Sequence, residues 1–192
     1  EAGSRFNAAS VRTTAKVDGD NVIISGTKVA VLSGSGTDKL LVVARESGGD
    51  TDRSGISVFL VDANADGVTM HTYANVDGKS ASEIRLSNVT VPSSARIGLV
   101  GGAIEALESA IDRATLASAA EALGAMESLL KKTVEYSKTR KQFGTAIGTF
   151  QALQHRMADM FIECQLARSI VVMAAMKMDS GESTSEKAKA VS

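Results

Sequence analysis

Tryptophan is absent from the chain, and Pro92 and Cys164 are the only residues of their types. A lone cysteine excludes an internal disulfide and points to a reducing compartment, with the cytoplasm as the expected location. Aromatic residues make up 4% of the chain, too few for the stacking platform that single-stranded nucleic acid needs. Basic charge is not in excess either: 21 Lys and Arg stand against 22 Asp and Glu. No field is available for a phosphate backbone, and nucleic acid is not an expected partner. No apolar run reaches the roughly 18 residues of a membrane span. His71, His155 and Cys164 lie far apart in sequence, so no metal-ligating set is expected. The chain opens on Glu1 with no charged-then-apolar leader. It stops at residues 188–192, inside a helical pattern just starting. Both ends read as cuts in a longer protein.

What is present falls into two halves with different periods. Residues 1–97 alternate in the manner of strands, with Val11, Thr13 and Ala15 opposing Arg12, Thr14 and Lys16. Asp18-Gly19-Asp20-Asn21 carries hairpin-turn chemistry. Short apolar runs follow at residues 22–24, 29–32, 40–44, 56–61, 68–73 and 83–89, each bounded by polar or glycine-rich connectors. Short connections between neighbouring strands imply an antiparallel sheet or small barrel. Gly34-Ser35-Gly36 is half of a dinucleotide fingerprint, but its third glycine falls at Lys39 and a strand follows, so a plain turn is expected. Asp62-Ala63-Asn64-Ala65-Asp66-Gly67 opens like a calcium loop. Its closing glutamate falls at Tyr73, so this too reads as a turn.

Pro92 closes the strand pattern, and residues 98–102 form a linker. From residue 103 the period becomes helical. Ile104, Leu107, Ile111, Leu116, Ala120, Leu123, Leu130 and Val134 mark one stripe, running to about residue 137. A second helix is expected from about residue 150 to 178, with Leu153, Met157, Met160, Phe161, Cys164, Ala167, Ile170 and Val171 on its stripe. Ser183-Thr184-Ser185 before Glu186 would cap a third helix. The fold class is therefore α+β: a β-domain, residues 1–97, followed by part of an antiparallel four-helix bundle, residues 103–192. The helices' apolar stripes require further chain or a second subunit to cover them. Cys164 and the methionines Met157, Met160, Met173, Met176 and Met178 are expected as core filler.

Chemistry concentrates between the two helices, at Arg140-Lys141-Gln142-Phe143-Gly144, with Phe150-Gln151 just after. A guanidinium offers a planar fork suited to a diphosphate. Gln142 and Gln151 add amide groups, Phe143 a flat apolar face, and Gly144 room for close backbone approach. The competing reading is that Arg140 and Lys141 serve the last carbonyls of the preceding helix.

This pattern resembles the acyl-CoA dehydrogenase family, flavoproteins that desaturate acyl-CoA thioesters. The branch nearest in pattern is that of the pimeloyl-CoA dehydrogenase small subunits. The resemblance implies that Arg140 and Phe143 contact the ADP part of FAD, bound partly by a neighbouring subunit, and that Gln142 and Gln151 also belong to the cofactor-binding residues. Glu1-Ala2-Gly3-Ser4 is similar to the end of the family's Glu-Pro-x-Ala-Gly-Ser-Asp loop, which implies that Ser4 lies beside flavin and substrate. Residues 26–34 resemble the Gly-x-Lys strand that packs on the flavin, and residues 83–92 the segment entering the helical domain. Asp112 matches a substrate-contacting aspartate.

The sequence departs from the family at several of these places. The flavin-facing strand reads Ala30 and Leu32 where an aromatic and a threonine are common, and the loop aspartate is Arg5. The arginine expected after Asp112 is Thr115, and the glutamate that one branch carries before that arginine is Ala114. Asp112 and Glu121 are carboxylates by type only, so the base is expected outside this chain. His155 lies one turn past Gln151, either on the cofactor side or on the helix surface. The resemblance implies FAD as cofactor, acyl-CoA as substrate, an electron-transfer flavoprotein as electron acceptor, and homo- or hetero-oligomers formed through the helical domain. It leaves two functions open: an FAD enzyme forming a 2,3-enoyl-CoA, or a non-catalytic flavin-site or scaffold subunit.

Overall fold

The computed structural model of the chain describes residues 1–180. The cap expected around residues 183–186 lies outside the described residues. The chain divides into two compact units, Glu1–Leu107 and a second beginning at Glu108.

The first unit holds seven strands: β1 (Thr14–Asp18), β2 (Asn21–Leu32), β3 (Lys39–Arg45), β4 (Ile56–Asp62), β5 (Val68–Ala74), β6 (Ser80–Pro92) and β7 (Arg96–Ile97). They form one sheet in the order β5-β6-β2-β1-β3-β4-β7. Neighbours pair antiparallel except β1 and β3, which meet in parallel at the single pair Thr14 and Arg45. The antiparallel sheet expected from the alternation is present. It is open, with β5 and β7 as its edges, so the alternative of a closed barrel is not realised. The turns at residues 33–36 and 62–67 are built as turns. Asp62 is occupied there: its carboxylate accepts hydrogen bonds from Lys39 Nζ (2.9 Å) and the Asn64 amide (2.9 Å).

Alternation decides which side chains reach the core, and two bulges change its phase. On β6, Ile84 and Leu86 are buried, and then Val89 and Val91. The parity switches because β6 spends three residues, from Leu86 to Val89, where β2 spends two. Asn88 absorbs the extra residue at φ +52°, a conformation asparagine tolerates better than most. On β2 the buried positions are Val22 and Ile24, whereas further on Val31 packs against the core. There β2 spends three residues, Lys28 to Val31, against two on β6, and Ala30 takes φ +53°. Gly26 does not interrupt β2. A Cβ there would meet the Thr13 Cα at 2.7 Å, so glycine is what lets β1's approach lie against β2.

A second, smaller cluster joins Ala9, Val11, Ile56, Ala103 and Ile104. At its border sits Arg45, buried at the end of β3 with 6% exposure. Among the described residues its guanidinium pairs with no carboxylate. It donates from Nε to Val11 O (3.0 Å), from Nη1 to Ser47 O (3.3 Å) and Ser54 O (3.0 Å), and from Nη2 to Ala9 O (2.8 Å), Asp50 O (3.2 Å) and Asp52 O (3.0 Å). The neighbouring Glu46 is bound by Arg96 through two bonds of 2.8 and 3.1 Å, and Arg96 lies 5.4 Å from the centre of the Phe59 ring.

The second unit is built on helices α1 (Ile104–Thr139), whose first turn belongs to the first unit, and α2 (Gln151–Asp179). At 36 residues, α1 is about 54 Å long. Between the helices lies a short hairpin, β8 (Lys141–Gln142) with β9 (Thr145–Ala146), which the alternation alone did not disclose. On α2 the covered or half-covered positions include Leu153, Met157, Met160, Cys164, Ala167, Val171, Ala174 and Met178, at alternating spacings of four and three, with Ala175 and Lys177 also half-covered near its end. That is the seam of antiparallel helix packing. Glu127 on α1 and Arg168 on α2 form an ion pair across it. The expected stripes need correction at Ile111, Ala120, Phe161 and Ile170, which are exposed, and the core role expected of Met173 and Met176 fails for the same reason. Apolar residues surround much of α2, so the sequence period cannot select one face.

Arg45→Met should destabilise the first unit by about 3 kcal/mol or more, because buried carbonyls lose their donors. Arg45→Lys should recover little of this, since a single ammonium cannot serve six carbonyls in two segments. Urea denaturation at pH 7 checks both.

Candidate functional site

The chain enters the first unit through three successive turns. The amides of Ser4, Asn7 and Ser10 donate to the carbonyls of Glu1 (3.2 Å), Ser4 (3.0 Å) and Asn7 (3.1 Å). The Ser4 hydroxyl is spent inside the first turn, donating to Glu1 O at 2.9 Å. Both ends of this strap are fastened. At the far end Ala9 and Val11 are buried and Arg45 holds their carbonyls. At the near end the Glu1 carboxylate accepts from the Arg12 amide (2.7 Å), the Thr13 amide (3.2 Å), the Thr13 hydroxyl (2.7 Å) and Lys28 Nζ. Lys28 also donates to Val43 O at 2.6 Å. Burial opposes the ionised form of Glu1, but these donors outweigh it and bring its pKa down from the ordinary 4.5 to about 2. Burial lowers the Lys28 pKa, and Glu1 offsets that only in part.

Lys28 also lines a cleft of about 290 Å³, together with Val31, Leu32, Leu40, Leu41 and Ile84 among others. The cleft opens where the β2 bulge lies. Ala30 and Ser33 both hold positive φ there, +53° and +56°. Two non-glycine residues in that region within four positions mark a stretch of backbone held against its preference.

In the second unit, the residues between the helices come onto one corner. The turn of the β8–β9 hairpin is Phe143-Gly144, with φ of +53° and +80°. Two consecutive positive φ values are what a two-residue hairpin turn demands. They leave Phe143 almost fully exposed, at 94%, with its ring edge-on to Phe150 at 6.3 Å. The Ile147 amide donates to Arg140 O at 2.8 Å, which ties the hairpin's exit to the end of α1, and Gln151 opens α2 directly after Phe150. The last turn of α1 is served by Ser137 Oγ, donating to Val134 O at 2.8 Å, and by Thr139 Oγ1, donating to Tyr136 O at 3.1 Å. The side chains of Arg140, Gln142 and Gln151 are exposed and bond to no other described residue.

Asp112 sits in the first third of α1, half-buried. Its Oδ2 is enclosed and accepts no hydrogen bond among the described residues. Thr115, which stands where an arginine was looked for, donates instead to Ile111 O at 2.9 Å. Glu121, His155 and His71 are exposed, and Cys164 is packed as expected. The structure therefore gathers Arg140, Gln142, Phe143 and Gln151 at one corner. Ser4 lies in the strap of the first unit, and Asp112 stands by itself on α1. Sequence reasoning missed the Glu1–Lys28 tie. Its available signal was an acidic residue ahead of Thr13, with Lys28 as the one charged residue of β2.

The comparisons with known proteins agree with this architecture. Residues 1–89 match the acyl-CoA dehydrogenase middle domain, and residues 96–191 match the acyl-CoA dehydrogenase C-terminal domain. The chain belongs to the acyl-CoA dehydrogenase family. A probable acyl-CoA dehydrogenase of Mycobacterium tuberculosis is 34% identical over 185 residues, which cover 95% of this chain and 47% of that protein. A 3-(aryl)acrylate reductase of Clostridium sporogenes is 34% identical over 98% of this chain and 50% of its own length. Butyryl-CoA dehydrogenase of Megasphaera elsdenii has a solved structure that superposes with a TM-score of 0.84 at 28% identity, over 96% of this chain and 50% of that one. The chain thus spans about half the length of the relatives it matches.

Glu1→Gln should remove a stabilisation that is fully present above pH 4.5 and fades as pH falls from 4.5 towards 2. The sign follows from the lowered folded-state pKa: below 4.5 the unfolded chain binds the proton first. Urea midpoints at pH 7, 4 and 3 should therefore converge between wild type and variant as the acid end is approached.

Proposed function

We propose that this chain is the central portion of an FAD-dependent acyl-CoA dehydrogenase, which forms a 2,3-enoyl-CoA from an acyl-CoA thioester and passes the electrons to an electron-transfer flavoprotein. The observation that carries this reading is the corner between α1 and α2. A guanidinium and two amides stand there without partners among the described residues, beside an exposed aromatic ring. That set suits a dinucleotide: Arg140 for the diphosphate, Gln142 and Gln151 for its polar edges, Phe143 for an apolar face. The Arg140 guanidinium is exposed and bonds to no other described residue, which leaves it available. In the first unit, the strap carrying Ser4 and the cleft beside Lys28 provide the wall for the flavin ring and the thioester.

The bound flavin supplies the acceptor for the hydride that leaves the substrate β-carbon. The chain's own residues bind and orient. Arg140 is the residue for the cofactor's charged diphosphate, through charge-assisted hydrogen bonds. Asp112, with an enclosed and unpartnered oxygen, is a contact for a donor group on the substrate. The base that removes the α-proton is assigned to sequence beyond this chain, because Ala114 occupies the position one branch uses for it. Homo- or hetero-oligomers are proposed through the helical unit, whose exposed residues Leu129, Phe161, Ile162, Leu166 and Ile170 need cover. None of the helices is long and apolar enough to cross a membrane among the described residues, and the single cysteine fits a reducing compartment such as the cytoplasm.

A second reading, a flavin-site or scaffold subunit without turnover, is favoured by Ala30 and Leu32 on the cleft strand. Arg140→Ala should weaken FAD binding on the order of tenfold to a hundredfold, the loss of one charge-assisted contact. Flavin titration of the protein at its full natural length checks this, and an unchanged affinity would remove Arg140 from the site. Bleaching of the bound flavin by acyl-CoA supports the enzyme. A flavin that stays oxidised with every acyl-CoA tried supports the subunit.

A further inference from the structure

The hairpin that presents Gln142 and Phe143 has no core of its own. Lys141, Gln142, Phe143 and Gly144 are all exposed, and the 3-10 turn that follows, Ile147–Thr149, buries no residue. A cavity of about 380 Å³ opens at the junction with the helices, lined by Val134, Lys138, Thr149 and Met157 among others, so close packing is not what holds the hairpin. What holds it is a seat on the last turns of α1. The Ile147 amide donates to Arg140 O at 2.8 Å. One residue on, Gly148 lies against Ser137, which is buried. The fit leaves no room for a side chain: a Cβ on Gly148 would stand 2.9 Å from Ser137 Oγ and 3.0 Å from Ser137 O. The hydroxyl is engaged, donating to Val134 O at 2.8 Å, and the carbonyl is helix backbone, so neither gives way freely. Gly148 does not have a positive φ, so it is space and not backbone conformation that calls for glycine. From the other side the first turn of α2 reaches back, with Gln154 Nε2 donating to Gly148 O at 2.9 Å.

We propose that Gly148 and Gln154 are positioning residues of the α1–α2 corner: seated on Ser137 and stapled by Gln154, the turn after the hairpin sets where Gln142 and Phe143 stand relative to Arg140. This rests on the FAD-binding function proposed above. Arg140 follows directly on α1 and Gln151 opens α2, whereas Gln142 and Phe143 ride on the hairpin between them. Contacts drawn from three elements suit one ligand only while their spacing is kept to about half an ångström. A methyl group at position 148 would force the turn away from α1 and take the hairpin with it.

The test is titration of the apoprotein at its full natural length with FAD and, separately, with ADP, which carries the diphosphate without the flavin. Wild type is compared with Gly148→Ala, with Gln154→Ala, and with Gly148→Ala combined with Ser137→Ala. Measured well below the melting midpoint, affinity reads the folded corner, and a role confined to stability would leave it unmoved. Gly148→Ala should weaken both ligands about three- to tenfold. Gln154→Ala should act in the same direction by less, because the turn keeps its seat on Ser137. Adding Ser137→Ala to Gly148→Ala should restore part of the affinity, since the contact with Oγ goes and the contact with the carbonyl stays. Wild-type affinity for both ligands in Gly148→Ala and Gln154→Ala would overturn the inference while leaving FAD binding standing. So would a lowered melting midpoint with unchanged affinities, which would make Gly148 a packing residue. If Gly148→Ala does not fold, Gln154→Ala decides: weaker binding of both ligands supports the inference, and unchanged binding overturns it. A wild-type protein that takes up neither FAD nor ADP overturns the function itself, and this inference with it.

Discussion

A single guanidinium holds the connections of the sheet domain together. Arg45 reaches carbonyl oxygens in the strap that precedes β1 and in the loop between β3 and β4. Neither segment has regular structure of its own, and buried carbonyls without donors would cost more than the loops could gain by packing. Arginine suits this place because its donors diverge in a plane, so one side chain can serve several strands of backbone at once. No carboxylate among the described residues competes for it. The acid next in sequence, Glu46, is engaged separately by Arg96, so adjacent residues of opposite charge fasten different parts of the same edge.

The strap gains its rigidity from this arrangement, and the cleft gains its shape from the bulge in β2. The two meet at Lys28, whose ammonium closes the strap and lines the cleft. One side chain therefore couples the position of the entering chain to the wall of the cleft. Gly26, two residues earlier, permits the same junction by letting Thr13 come close enough to share the Glu1 carboxylate. This is a site in which backbone strain and buried charge are concentrated, while the rest of the sheet obeys plain alternation.

Much of the fold could be read from residue order. The strands around Val22, Leu40, Phe59 and Ile84 and both long helices declared themselves by period, and the cluster from Arg140 to Gln151 by residue type. What could not be read has physical causes. The phase changes at Ala30 and Asn88 depend on how many residues the facing strand spends, which is a property of pairs of strands. Arg45 looks like any charge at a strand end until six carbonyls are placed around it. Phe161 and Ile170 went to the wrong face because α2 carries apolar side chains on nearly every side. For the candidate site, the residue types at the α1–α2 corner were visible, but the freedom of Arg140 was not. It is a matter of side-chain exposure at the hairpin, which residue type does not disclose.

The circumference of α2 has a further consequence. A helix that shows hydrocarbon in most directions carries no inside or outside of its own; its neighbours assign them. Changing Phe161 or Ile170 to a charged residue would then cost this chain little where water is the neighbour, and a great deal where another helix is. The same substitution would measure the surroundings more than the residue, so tolerance to it becomes a gauge of how complete the assembly around α2 is.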